Sequence, residues 1–169
     1  MIALVTLAIL MLVMLLELQI SLRHERTLRA AGAIEPPDDV IDMMRWAYPG
    51  AFVVMAVEGV IKGPAPSAVI IAGVAVLVAA KALKAWAIAS LGERWTYRVL
   101  VIPGAPLVTA GPYALMRHPN YVAVVGELLG MALIAGARFS GPVGMLLFTW
   151  LLAARMKVEN RALRYPPCR

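Results

Sequence analysis

The segment Gly111-Pro112-Tyr113-Ala114-Leu115-Met116-Arg117-His118-Pro119-Asn120-Tyr121 holds the densest set of chemically versatile side chains in the sequence. Pro119 suits the first position of a helix. The residues around it then stand at free N–H groups and the positive end of a helix dipole, a place suited to an anionic ligand group. His118 and Asn120 can make directed hydrogen bonds, and Tyr113 and Tyr121 offer flat faces to an aromatic ring or a cation. A plainer reading stays open, in which His118-Pro119-Asn120 caps a helix and does nothing else. A second cluster is Arg155-Met156-Lys157-Val158-Glu159. Arg155 and Glu159 are four apart and share one helical face. They either complete a site with the first cluster or form a surface ion pair worth under about 1 kcal/mol.

Glu127 falls two helical turns beyond Asn120 on the same face. An ionisable residue inside an apolar segment is a functional candidate by default. Glu17 and Glu58 meet that criterion more weakly, because both lie near segment ends, and Glu58 reads as interfacial. Two histidines, His24 and His118, and the single Cys168 have no metal-ligand spacing. Neither a phosphate-cradling glycine loop nor a dinucleotide fingerprint is present.

These residues need elements to position them, and the apolar pattern gives five. The first helix is expected from about Ile2 to Leu22, uncharged until Glu17. A polar stretch from Arg23 to Arg45 follows, containing Pro36-Pro37-Asp38-Asp39. The second helix runs from about Trp46 to Ile61, and Lys62-Gly63-Pro64 is a turn. The third starts near Pro66, is uncharged through Ala80 and continues to Leu91, with Lys81 and Lys84 near the membrane surface. Trp95 to Thr109, around Pro103-Gly104, resembles a short β-hairpin or an extended loop. The fourth helix spans Pro119 to about Ala137 and the fifth about Val143 to Met156, joined by a turn short enough to force an antiparallel hairpin. The chain reads as one domain over residues 1–169, without internal repeats.

Composition puts these helices in a bilayer. Of 169 residues, 62% are hydrophobic and only 15% charged, against about half and a quarter in soluble domains. Mean hydropathy is +0.79, and the apolar residues come in blocks of roughly spanning length. The net charge of +6 is accounted for by basic residues at helix ends, so nucleic acid is not an expected partner. Arg23, Arg26, Arg29, Arg45, Lys81, Lys84, Arg94, Arg98, Arg117, Arg155, Lys157, Arg161, Arg164 and Arg169 fall on one side of a five-helix chain. Only Lys62 and Arg138 of the 16 fall on the other. The positive-inside rule makes the first side cytoplasmic, with the N-terminus outside. The first segment lacks a basic n-region and reads as a retained anchor rather than a cleaved signal.

At Gly111-Pro112-Tyr113, Arg117-His118-Pro119-Asn120-Tyr121 and Arg155…Glu159 the sequence resembles the isoprenylcysteine carboxyl methyltransferase superfamily, which also holds phospholipid methyltransferases. The resemblance covers about residues 83–163. Ser90-Leu91-Gly92-Glu93-Arg94-Trp95-Thr96, Val101-Ile102-Pro103-Gly104 and the short length look most like small bacterial members linked to type III polyketide synthases. The family often has two adjacent acids where this chain has Glu159-Asn160, and it often continues into a longer aromatic tail.

The resemblance implies an all-α integral membrane methyltransferase with a cytoplasmic cofactor-binding loop, a C-terminal helical hairpin and S-adenosyl-L-methionine as cofactor. It implies that Tyr113, Arg117, His118, Pro119, Asn120, Tyr121 and Glu127 hold that cofactor, and that Arg155 and Glu159 act on the acceptor. The expected acceptor is lipophilic and reaches the site from the membrane lipid: an alkylpyrone, an alkylresorcinol or a prenylated carboxylate. Phospholipid N-methylation is the alternative within enzymes, and a small transporter or structural subunit is the alternative outside them. The bacterial inner membrane is the expected location. Acceptor identity and oligomeric state stay open.

Overall fold

The computed structural model describes residues 1–164, with side chains through Leu163; Cys168 and Arg169 lie outside the described residues. Its five helices are α1 (Ile2–Ala30), α2 (Ile41–Lys62), α3 (Ser67–Leu91), α4 (Pro119–Ala135) and α5 (Ser140–Arg164). Single 3₁₀ turns at Gly92–Arg94 and Gly111–Ala114 punctuate the long α3–α4 connection.

Each expected helix is present, but several ends differ. α1 runs eight residues past Leu22, α2 begins at Ile41 rather than Trp46, and α5 extends beyond the expected Val143–Met156 at both ends. The polar run Arg23 to Arg29 contains neither Gly nor Pro, so it leaves the apolar zone without leaving the helix. Apolar length marks the membrane zone and not the helix end. α4 stops at Ala135 because Gly136 adopts the left-handed conformation, φ 66°, that ends helices.

Of the two forms expected for Trp95 to Thr109, the extended loop is found and the β-hairpin is not, and no strand occurs among the described residues. Pro103-Gly104 does turn the chain, with Ala105 N–H donating to the Ile102 carbonyl at 3.2 Å. The backbone of Val101 pairs instead with Ile34 in the α1–α2 linker, by two bonds of 2.9 and 3.0 Å. Pro103 and Pro106 have no N–H to give to a ladder, so the linker supplies the partner.

The helices alternate in direction. The start of α1 meets the end of α2 and the end of α4 around a shared cavity. α3 and α4 pack antiparallel through small residues. A Cβ on Gly73 would stand 2.9 Å from the Gly130 carbonyl, and one on Gly126 2.9 Å from the Ala80 methyl. Such close approach is how helices associate where lipid removes the hydrophobic drive between them. α4 and α5 form the expected antiparallel hairpin, Gly141 against Ala132 at one end and Glu159 against Tyr121 at the other. Glu58 fastens the turn. Its carboxylate accepts from Phe139 N–H at 3.1 Å and Ser140 N–H at 2.7 Å, at the start of α5, and from Lys62 at 2.7 Å.

α1 and the Ser67–Arg94 segment are long and apolar enough to cross a membrane. Only 17% of either apolar window is buried inside the protein, so these are outward-facing apolar surfaces rather than core helices. Such a surface needs lipid to cover it. α4, at 17 residues, is apolar but shorter.

Candidate functional site

One end of the bundle gathers the C-terminal ends of α1, α3 and α5, the N-terminal ends of α2 and α4, the α1–α2 linker and the α3–α4 connection. His118 is the N-cap residue of α4; its backbone carbonyl accepts from Tyr121 N–H at 3.1 Å, but its side chain makes no cap hydrogen bond. Pro119 fixes the first helical position and is buried. The His118 ring stacks on Tyr121, centroids 5.2 Å apart and planes 16° from parallel. Tyr121 donates its hydroxyl to Glu159 at 2.5 Å and accepts from Arg155 Nε at 3.2 Å. Glu159 also lies 3.6 Å from His118 Nδ1.

Arg155 and Glu159 therefore meet through Tyr121, and no direct ion pair joins them among the described residues. Arg155 is 5% exposed and is no surface residue. Its guanidinium donates to the Tyr97 carbonyl, faces Met44 Sδ at 3.9 Å and lies 3.6 Å from the carboxylate of Asp39. Four segments converge on this one side chain: linker, α2, α3–α4 connection and α4.

Asp39 Oδ1, beside Arg155, has no hydrogen-bond partner among the described residues, and at the start of α4 the same holds for two more buried polar atoms, His118 Nε2 and Asn120 Oδ1. Buried polar groups in folded proteins are nearly always paired, so these last two atoms fit a polar ligand. Tyr113, on the 3₁₀ turn just before, is half-buried; burial, and then the Glu159 charge, push its phenol well above the ordinary tyrosine value. Arg117 is exposed and has no ion-pair partner among the described residues.

Glu127 stands apart from this cluster. It is fully buried and accepts from the Tyr48 hydroxyl at 2.7 Å. Lys81 lies 2.8 Å from it and Lys84 3.3 Å. The same two lysines reach Glu17 on α1 at 3.1 and 2.7 Å. The four form a closed ring of alternating charge that ties α1, α3 and α4 together. Lys84 is only 2% exposed, because buried acids on two flanking helices draw it inward. The ring also touches the site, because Tyr97 donates its hydroxyl to Glu17 at 3.0 Å. Burial, and then that negative charge, raise the Tyr97 phenol well above its usual value.

Sequence reasoning missed Asp39, Tyr97 and Met44 at this site. The Pro36-Pro37-Asp38-Asp39 run was visible but had no periodicity to say which acid turns inward. Lys81 and Lys84, three apart on an apolar helix, were the available signal for the ring.

An all-helical membrane protein with a polar site at one end of the bundle is the class that this fold and site define. Residues 72–165 match the isoprenylcysteine carboxyl methyltransferase (ICMT) family, a family of membrane methyltransferases, and the chain belongs to it. The uncharacterized protein YpbQ of Bacillus subtilis is 29% identical over 148 residues, 88% of each chain. An uncharacterized protein of Haemophilus influenzae is 27% identical over 162 residues, 95% of this chain and 94% of its own. No solved structure matches the chain.

Proposed function

We propose that this protein transfers a methyl group from S-adenosylmethionine to a lipophilic acceptor at the cytoplasmic face of a bacterial inner membrane, with all five helices spanning it. The observation that carries this reading is the pair of unpartnered buried atoms, His118 Nε2 and Asn120 Oδ1, beside the Tyr121–Glu159 hydrogen bond. In this reading His118, Asn120, Tyr113 and Tyr121 hold the cofactor, with Pro119 fixing their backbone and Arg117 at the solvent edge. Glu127 supports them from beneath through its lysine ring.

When bound, S-adenosylmethionine supplies an electrophilic methyl group on a sulfonium. The protein's part is to orient the two reactants and exclude water. For a hydroxyl acceptor, Glu159 takes the proton as the new C–O bond forms, and Tyr121 keeps that carboxylate aimed. Arg155, locked by four segments, fixes Tyr121 and offsets charge developing on the acceptor oxygen. An alkylpyrone or alkylresorcinol fits such a base. A prenylated carboxylate needs none and would be oriented by Arg155. The test is a screen with methyl-labelled cofactor against lipid classes. Labelled lipid is the expected result, and no label in any class, together with no binding of S-adenosylhomocysteine, refutes the reading. Phospholipid N-methylation would appear in the same screen as label in ethanolamine lipids.

A further inference from the structure

Asp39 lies outside the part of the chain that matches the family, yet it belongs to the site. Its side chain is 3% exposed. One carboxylate oxygen accepts from Val99 N–H at 3.2 Å. The other faces Arg155 at 3.6 Å, beyond hydrogen-bond reach, and has no hydrogen-bond partner among the described residues. The neighbouring acids of the linker and of the first turn of α2 have cations of their own. Glu35 pairs with Arg29 and Arg98, Asp38 with Arg161, and Asp42 with Arg45. Asp39 has only Arg155, and Arg155 directs its bonds elsewhere, to the Tyr97 carbonyl and the Tyr121 hydroxyl.

The charge balance of the site follows. With Arg117 out at the solvent edge, the inner charges are one positive on Arg155 and one negative each on Glu159 and Asp39. Without Asp39 the cluster is neutral; with it the cluster is negative by one. We propose that Asp39 sets this sign, so that the site selects a cationic cofactor over its neutral product. The inference rests on the cofactor reading above. Methyl transfer turns a sulfonium into an uncharged thioether, so a site negative by one holds the reactant more strongly than the product and favours exchange. In a partly buried setting of effective dielectric about 20, one unit charge beyond contact distance changes affinity for a cation by about tenfold.

The test is calorimetry on the full chain in detergent with two ligands of nearly equal shape. Sinefungin carries an ammonium where the sulfonium would be, and S-adenosylhomocysteine is neutral there. Wild type should prefer sinefungin. Asp39→Asn should lower the ratio of the two affinities by about tenfold, while Asp39→Glu, which keeps the charge, should preserve the ratio even if both affinities fall. A purely structural role would weaken both ligands together and leave the ratio alone, and an unchanged ratio in Asp39→Asn overturns the proposal. If that variant does not fold, Arg155→Gln decides: loss of the cation should raise the ratio, and a constant ratio again overturns it. Failure of both ligands to bind wild type would instead refute the cofactor reading itself, and this inference with it.

Discussion

Arg155, on the last helix, donates its guanidinium to the backbone carbonyl of Tyr97, in the connection between α3 and α4. That bond joins the candidate site to the interior of the bundle, because the hydroxyl of the same Tyr97 donates to Glu17 on the first helix. Ser21 of α1 accepts from Tyr97 N–H at 2.8 Å, and His24 donates to the Trp95 carbonyl at 2.8 Å. One polar stripe of α1, at positions 17, 21 and 24, thus carries the loop that carries Arg155. In lipid, α1 gains little from apolar packing, so these polar contacts are what fix it to the site.

The charge ring should therefore dominate stability. Removing one member of a buried ion pair strands its partner at a cost of about 3–5 kcal/mol. Lys84→Met leaves Glu17 and Glu127 short of a cation and should lower the melting temperature sharply in detergent. Glu17→Gln in the same chain should recover part of that loss. Equal melting of wild type and Lys84→Met would show that the ring contributes nothing.

His118 should act through binding. Purified protein is expected to take S-adenosylhomocysteine at micromolar concentration or tighter, about 8 kcal/mol. His118→Ala should weaken that by an order of magnitude or more, since a hydrogen bond to a charged group is worth about 1.5–3 kcal/mol. Calorimetry that finds His118→Ala unchanged would leave the unpartnered Nε2 without a ligand.

Topology should follow the basic residues. Reporter fusions after Arg29, Gly63, Arg94, Arg138 and Arg164 should read inside, outside, inside, outside, inside. The helix directions put successive connections at opposite ends of the bundle, as either orientation requires, and the basic residues favour the one in which the site faces the cytosol. An outside report after Arg94 would put the site on the wrong side for a cytosolic cofactor.

What the sequence made legible was periodic or punctuated. Five apolar blocks gave five helices, Pro119 gave the start of α4, and the spacing of Arg155 and Glu159 gave their shared face. What stayed hidden depended on tertiary partners. Lys84 reads only as a lysine near the membrane surface until Glu17 and Glu127, both far off in sequence, close around it. The Trp95 to Thr109 segment reads equally as a hairpin or an extended loop, and only the fold brings Ile34 to the edge of Val101. Asp39 and Asp38 are indistinguishable in sequence, and only the fold turns one toward Arg155 and the other toward Arg161.

The last prediction separates chemistry from binding. Tyr121 sits between Arg155 and Glu159, so the three act as a unit and not as a helix-surface pair. If Glu159 takes the acceptor proton, Glu159→Gln should lower the single-turnover rate by about a hundredfold or more, the scale of a lost general base. Tyr121→Phe, which removes the hydroxyl that aims Glu159 and keeps the ring that stacks on His118, should also slow transfer while sparing cofactor affinity. Arg155→Ala should lower the rate by at least as much as Glu159→Gln, but it also strands the buried Asp39 and will lose stability. Arg155→Lys keeps the charge without the guanidinium fork, and it should fold yet stay slow. The measurement is the single-turnover rate at saturating cofactor with an alkylresorcinol or alkylpyrone acceptor, beside the affinity for S-adenosylhomocysteine. A rate loss without an affinity loss places Arg155, Glu159 and the Tyr121 hydroxyl on the acceptor side, with the Tyr121 ring left to the cofactor. Parallel losses place them around the cofactor, and wild-type rates in Glu159→Gln and Tyr121→Phe would remove both residues from the mechanism.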